Sequence, residues 1–244
     1  MANHKVVDKS LQGTRIITRR GPEFGDAVHV AEVVPTECNN LSAFYPVLLA
    51  GSPDARGYNL VAVLGMEPGE NLFLENGGWD AGYIPLSIRR QPFLLQTQAL
   101  KEEDGSISNV PILAIDLDSP RVSQTEGEAM FDEAGETTEW FKGVNQLIAQ
   151  MLRGSELGRE FIRKLDVMEL IEPLEMGVRL GDGSTRRFEG LNTINAARLR
   201  ELKDAQIVEL HKLGYLDYIY SMRASLAQFG ALAKRKSARI TAQG

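Results

Sequence analysis

Apolar residues follow two different periods along this chain. Up to about residue 120 they come in short runs or alternate with polar neighbours, as strands require. Val28, Val30, Val33 and Val34 lead to Pro35, and Phe44 to Ala50 and Leu60 to Leu64 form two apolar runs. The turn formers between them, Gly51-Ser52-Pro53-Asp54-Ala55-Arg56-Gly57, make an antiparallel pair the simplest reading. Residues 66–82 hold turn formers again, among them Pro68-Gly69 and Asn76-Gly77-Gly78. Two more strands are predicted, over Arg89 to Leu100, ending before Glu103-Asp104-Gly105-Ser106, and over Val110 to Leu117, stopped by Asp118-Ser119-Pro120.

Past that point the period becomes helical. Trp140, Phe141, Val144, Leu147, Ile148, Met151 and Leu152 share one helix face, with Thr137 or Thr138 as the cap and Gly154 as the end. Ser155 then opens a second helix with Leu157, Phe161, Ile162, Leu165 and Met168 inside. Leu174 to Leu180, the turn Gly181-Asp182-Gly183-Ser184, and Thr185 to Phe188 read as a hairpin. Asp204 opens another helix that stops at Gly214, and a final helix carries Ile219, Met222, Leu226 and Phe229. Its tail, Lys234, Arg235, Lys236 and Arg239, is polar and basic, suiting a helix C-terminus or a frayed end.

The pattern gives an α+β fold, with an N-terminal mostly antiparallel β part and a C-terminal helical part carrying one β-hairpin. Its divisions are a flexible basic arm over 1–24, a β-rich part over 25–120 and a helical part over 121–244 with the hairpin near 174–188. The hairpin can rejoin the first sheet, which would make 25–244 one continuous domain.

Composition narrows the function classes. The 244 residues include 27 Lys and Arg against 33 Asp and Glu, a net charge of −6, so general binding to nucleic acid is not expected. No run approaches the roughly 20 apolar residues of a membrane span. The start, with Lys5, Lys9, Arg15, Arg19 and Arg20, lacks a secretory apolar core, and the expected location is cytoplasmic. The single cysteine, Cys38, excludes an intrachain disulfide, and nothing beside it in sequence marks it as a nucleophile.

Candidate chemistry is sparse. His4, His29 and His211 are scattered, so neither a metal nor a cofactor is expected, and no phosphate-cradling glycine motif is present. Asp116 and Asp118 form one Asp-x-Asp at a strand end, either a low-grade acidic site or an ordinary turn. Residues 126–139 carry Glu126, Glu128, Asp132, Glu133, Glu136 and Glu139 without a basic residue, a solvated surface or a dock for a basic partner or for the chain's own basic arm. The most unusual stretch runs from Gly77 to Phe93, with Trp79, Tyr83, Arg89, Arg90 and Phe93 between glycines and prolines. Those residue types dominate binding surfaces, and these five are the candidate binding residues. The alternative is an aromatic plug over one end of the sheet.

Several ordered blocks resemble the SapC-like proteins, a family named after a gene linked to bacterial surface layers. The blocks are Phe44-Tyr45-Pro46-Val47; Trp79 with Tyr83-Ile84-Pro85 and Arg90-Gln91-Pro92-Phe93; Ile115-Asp116-Leu117-Asp118-Ser119-Pro120-Arg121; Met130-Phe131-Asp132-Glu133-Ala134-Gly135-Glu136; Glu189-Gly190-Leu191; and Leu210-His211-Lys212-Leu213-Gly214 before Ile219-Tyr220-Ser221. The resemblance carries over no reaction and no catalytic residue. It implies an accessory role beside flavin-dependent halogenases and iron- or cupin-type oxygenases that modify peptides. The expected function is therefore non-catalytic binding of a peptide or partner protein, with a homodimer through the last helix as a further partner. Two other classes are kept: an enzyme with its site at Asp116 and Asp118, and a surface-layer or secretion-related structural protein.

Overall fold

The computed structural model describes residues 3–52, 57–75, 77–101 and 106–243. The middle of the turn expected over 51–57, Asn76 and the turn residues 103–105 lie outside the described residues. The α+β reading holds, with antiparallel sheets dominating the first half and helices the second. The chain divides into two compact units, each built from two separated stretches: Met1–Asp26 with Ile88–Ala149, and Ala27–Ser87 with Gln150–Gly244. The division expected at residue 120 thus differs from the compact units.

In the first unit the long strands Phe93–Lys101 and Ile107–Asp116 pair antiparallel, with Phe93 opposite Ile115. The segment read as a flexible arm is ordered instead. His4–Val6 adds to the edge of that pair, with Val6 opposite Ala114, and Arg15–Ile16 pairs with both Val122–Ser123 and Glu128–Ala129. Its apolar residues explain why: Leu11 and Ile16 are buried with Phe93, Ile115, Met130, Phe131, Phe141 and Ile148. Removing those side chains from water outweighs the freedom that the basic residues alone would favour. Lys9 pairs with Glu136 at 3.2 Å and Arg19 with Glu126 at 3.4 Å, so the acidic stretch meets the chain's own basic segment. Exposed pairs of this kind add little stability.

The second unit is built on a five-stranded antiparallel sheet, in the order Ile171–Pro173, Leu191–Ile194, Val47–Ser52, Gly57–Val63, Val30–Glu32. The antiparallel pairing of the two apolar runs is as expected, with Leu49 opposite Leu60. The helix Tyr215–Ser225 packs on the strands Val47–Ser52 and Leu191–Ile194, and Ser225 Oγ accepts from the Val47 amide at 2.8 Å. Ile219 and Met222 are fully buried there, so the face expected to serve a homodimer is used within the unit. The predicted hairpin forms between Gly177–Arg179 and Thr185–Arg187, with Val178 and Leu180 buried.

Three helix readings change. Leu86–Arg89 is a helical turn, so the strand expected from Arg89 starts only after Pro92, whose nitrogen has no hydrogen to donate to a ladder. The last helix is two, Tyr215–Ser225 and Gln228–Gln243, and the basic tail belongs to the second. That tail is tied down. Arg235 pairs with Asp80 at 2.7 Å, Lys236 with Glu70 at 2.8 Å, and Arg239 donates to the Leu74 carbonyl. Burial lowers the Lys236 pKa, but the bonds to Glu70 and Glu67 outweigh it and the net shift is upward.

The third change concerns Gly154. The two helices expected to meet there are one, Glu139–Val167, capped by Thr138 Oγ1 accepting from the Phe141 amide at 3.2 Å. Gly154 does not end a helix; a Cβ on it would lie 2.7 Å from the Val34 Cβ. The glycine is a contact surface. Alanine normally gains about 0.5–1 kcal/mol over glycine inside a helix. We expect Gly154→Ala to destabilise by about 1–3 kcal/mol through overpacking. Gly143→Ala, with nothing within 4 Å of its new Cβ, should stabilise by the ordinary amount. Urea denaturation of both variants reads the signs, and a stabilising Gly154→Ala would refute the close approach.

Candidate functional site

The turn that follows the Ile107–Asp116 strand places Arg121 inside the first unit. Its amide donates to Ser119 Oγ at 3.3 Å, and its side chain is 1% exposed. Nη2 donates to both carboxylate oxygens of Asp26 at 2.7 Å, and Nη1 to the carbonyls of Ile17 and Arg19 at 3.0 and 2.8 Å. Asp26 is itself fully buried, and it also accepts from the Gly21 amide at 3.0 Å and from Arg20 Nη1 at 3.3 Å. The Phe24 ring lies 5.5 Å from the Arg121 guanidinium carbon. A charge this deeply buried is tolerable only when paired and hydrogen-bonded. Asp26 supplies the charge, and the carbonyls of 17 and 19 supply the rest.

Arg121 also lines a cavity of about 310 Å³ within this unit. Arg20, Arg89, Thr18 and Gln91 complete its polar wall. One helical face also lines it, with Trp140, Gly143, Val144 and Leu147 spaced at i, i+3, i+4 and i+7. Among the described residues no acidic side chain lines it. Burial lowers the Arg20 pKa; Asp26 opposes the fall, and the charges of Arg121 and Arg89 add to it. Three cations therefore share a space that holds one carboxylate behind its wall. Nothing in the spacing of Arg20, Asp26 and Arg121 reveals this, although Arg121 closes one of the blocks by which the chain resembles its family.

The five expected binding residues are divided between the two compact units. Arg89, Arg90 and Phe93 belong to the first unit, Trp79 and Tyr83 to the second. Arg89 is exposed at the end of its helical turn and lines the cavity. Arg90 Nη1 donates to the Phe93 carbonyl. Phe93 is 1% exposed and stacks near Phe141 at 5.4 Å between ring centres, so it is a core residue and not a contact for a partner. Its alternation on a strand buried at one end accounts for that.

In the second unit, Trp79 and Tyr83 enter one hydrogen-bonded chain. Trp79 Nε1 donates to Tyr45 Oη at 2.8 Å, and Tyr45 Oη donates to the Tyr83 carbonyl at 2.5 Å. Tyr83 Oη donates to Glu37 Oε1 at 3.1 Å, which also accepts from the Leu86 amide, while Glu37 Oε2 accepts from the Val34 amide. Burial raises the Tyr45 pKa. The indole edge is thus spent on the scaffold, although Trp79 stays half-buried and flanks a shallow hollow with Glu75, Gly78 and Asp80. Burial, with the Glu37 charge adding, pushes the neighbouring Cys38 thiol up to about 12, far from a reactive thiolate.

Asp116 and Asp118 are used locally. Asp118 donates its amide to Asp116 Oδ1 at 3.1 Å and accepts from the Asn3 amide at 3.1 Å. Among the described residues no group of three potential metal ligands comes together. No described helix is long and apolar enough to cross a membrane.

Fold and site define an α+β chain with a cavity lined by guanidinium groups and by one helix face. A family model, SapC, matches residues 8–232, and the chain belongs to the SapC family. Neither the curated proteins nor the solved structures give a match.

The buried pair is testable directly. Asp26→Asn leaves the Arg121 charge uncompensated and should cost about 3–5 kcal/mol, whereas Asp26→Leu combined with Arg121→Met should recover a substantial part. A double-mutant cycle by urea denaturation measures this, and additive losses would show that the two side chains do not depend on each other.

Proposed function

We propose that this SapC-family chain works by binding, without catalysing a reaction, and that it takes a peptide or a segment of a partner protein. The observation that supports the reading is the cavity of the first unit. Its lining combines arginine, tryptophan and aliphatic side chains, the types that concentrate binding energy at protein interfaces. Its walls are set by a buried ion pair and by a helix, so little ordering is left to be lost on binding. The setting implied by the family resemblance, beside peptide-modifying halogenases or oxygenases, fits an accessory that presents or retains a peptide. A cytoplasmic site of action belongs to the same proposal.

Panning a random peptide library on the purified full chain tests it. The wild type should enrich a consensus sequence. Arg89→Ala should lose the consensus peptides by about tenfold in affinity at unchanged melting temperature, since Arg89 is exposed. No enrichment, or equal enrichment by the variant, would contradict the reading.

A further inference from the structure

We propose that the cavity of the first unit is an oxyanion site for an amphipathic ligand: a carboxylate or phosphate monoester held by Arg89 and Arg121, with its apolar body against Trp140, Val144 and Leu147. This deepens the binding reading, on which it rests, by naming the chemistry that the ligand must carry.

Charge is the first argument. Among the described residues the lining contains three guanidinium groups and no carboxylate. Asp26 sits behind Arg121 and is fully engaged by Arg121, Arg20 and the Gly21 amide. It neutralises one of the three charges, so the cavity is left with an excess of about two. Such an excess in a partly desolvated space attracts anions and raises the local field well above that of an open surface.

Unused hydrogen-bonding capacity is the second. Arg121 Nε is buried and, among the described residues, without a hydrogen-bond partner. Buried donors are nearly always satisfied, and an orphan on a residue that lines a cavity points to a ligand atom or an ordered water. Arg89 is exposed and pairs with no carboxylate among the described residues. Guanidinium groups bind carboxylate and phosphate through charge-assisted bonds; Arg89 can offer a pair of them, and Arg121 has its single Nε–H to add.

The helix wall is the third. Trp140, Val144 and Leu147 are partly buried and line the cavity together. Gly143 stands in the middle of that face, and a Cβ added there meets no atom within 4 Å. The glycine leaves room where any other residue would project into the cavity. A bare inorganic anion would leave this apolar wall idle, so the ligand has an apolar body next to its charged group.

Four probes test the proposal by calorimetric titration of the full chain: 3-phenylpropanoate, phenyl phosphate, 3-phenylpropanamide and inorganic phosphate. At least one of the two charged aromatic probes should bind about tenfold more tightly than the amide and than inorganic phosphate. The stronger of the two tells whether the natural group is a carboxylate or a phosphate. Arg89→Ala should weaken it about tenfold, and Gly143→Leu, whose Cβ meets no atom within 4 Å and whose longer side chain takes up cavity space, should abolish it while the melting temperature holds. Binding of the amide as tight as that of the acids would overturn the proposal, as would binding that both variants retain. If library peptides bind and these probes do not, the binding reading stands and the oxyanion site fails. If the probes bind in the stated order and no peptide does, the oxyanion site stands and the peptide reading fails.

Discussion

The first unit turns on one ion pair with no access to water. Asp26 and Arg121 are separated by 95 residues in sequence and meet at 2.7 Å with essentially no exposed side-chain surface. Desolvating either group alone would cost several kcal/mol, so each makes the other permissible. The guanidinium also holds the carbonyls of Ile17 and Arg19, fixing the extended segment that follows the Arg15–Ile16 strand. A chain stretch that would otherwise be a loose basic arm is pinned at its far end. The cavity exists because that pinned segment supplies Ile17, Thr18 and Arg20 to one wall.

The second unit solves a related problem differently. Glu37 is almost fully buried, and the backbone amides of Val34 and Leu86 and the Tyr83 hydroxyl hold it. Hydrogen bonds to a charged acceptor are stronger than neutral ones, and three of them satisfy a carboxylate well. Tyr45 and Trp79 extend the chain outward from this centre. The aromatic stretch that looks from sequence like a binding loop is therefore anchored at both of its aromatic residues. Trp79 and Tyr83 stay partly buried, and the exposed positions of the stretch include Asp80, Gly82 and Arg89.

Local periodicity reads through to structure wherever one short stretch decides the outcome. Val178 and Leu180 alternate and are buried together; Asp204 and Gly214 bracket a helix; Leu49 and Leu60 face each other across the expected pair. The departures share a cause, which is a partner distant in sequence. Gly154 has the signature of a helix end, but glycine serves equally for close approach, and only the presence of Val34 beside it decides. The first 24 residues contain strands of two and three residues, too short for a period to register, while their five basic residues dominate the composition. Of the cavity residues, Arg89 was legible because it sits in an unusual local stretch. Arg20 and Arg121 were not, since a cation cluster assembled from three separate segments leaves no spacing to find.

In the proposal, the Asp26–Arg121 pair organises a cavity whose spare guanidinium donors take an oxyanion. Nitrogen-resolved NMR of the arginine Nε–H groups tests it most directly, because the buried Arg121 Nε–H is shielded from exchange with water. During titration with 3-phenylpropanoate or phenyl phosphate, the Arg121 and Arg89 signals should shift together and saturate. The exposed Arg163, already paired with Glu160, should stay where it is. An Arg121 signal that does not move while the ligand saturates, or uniform small shifts across all arginines, would contradict the claim.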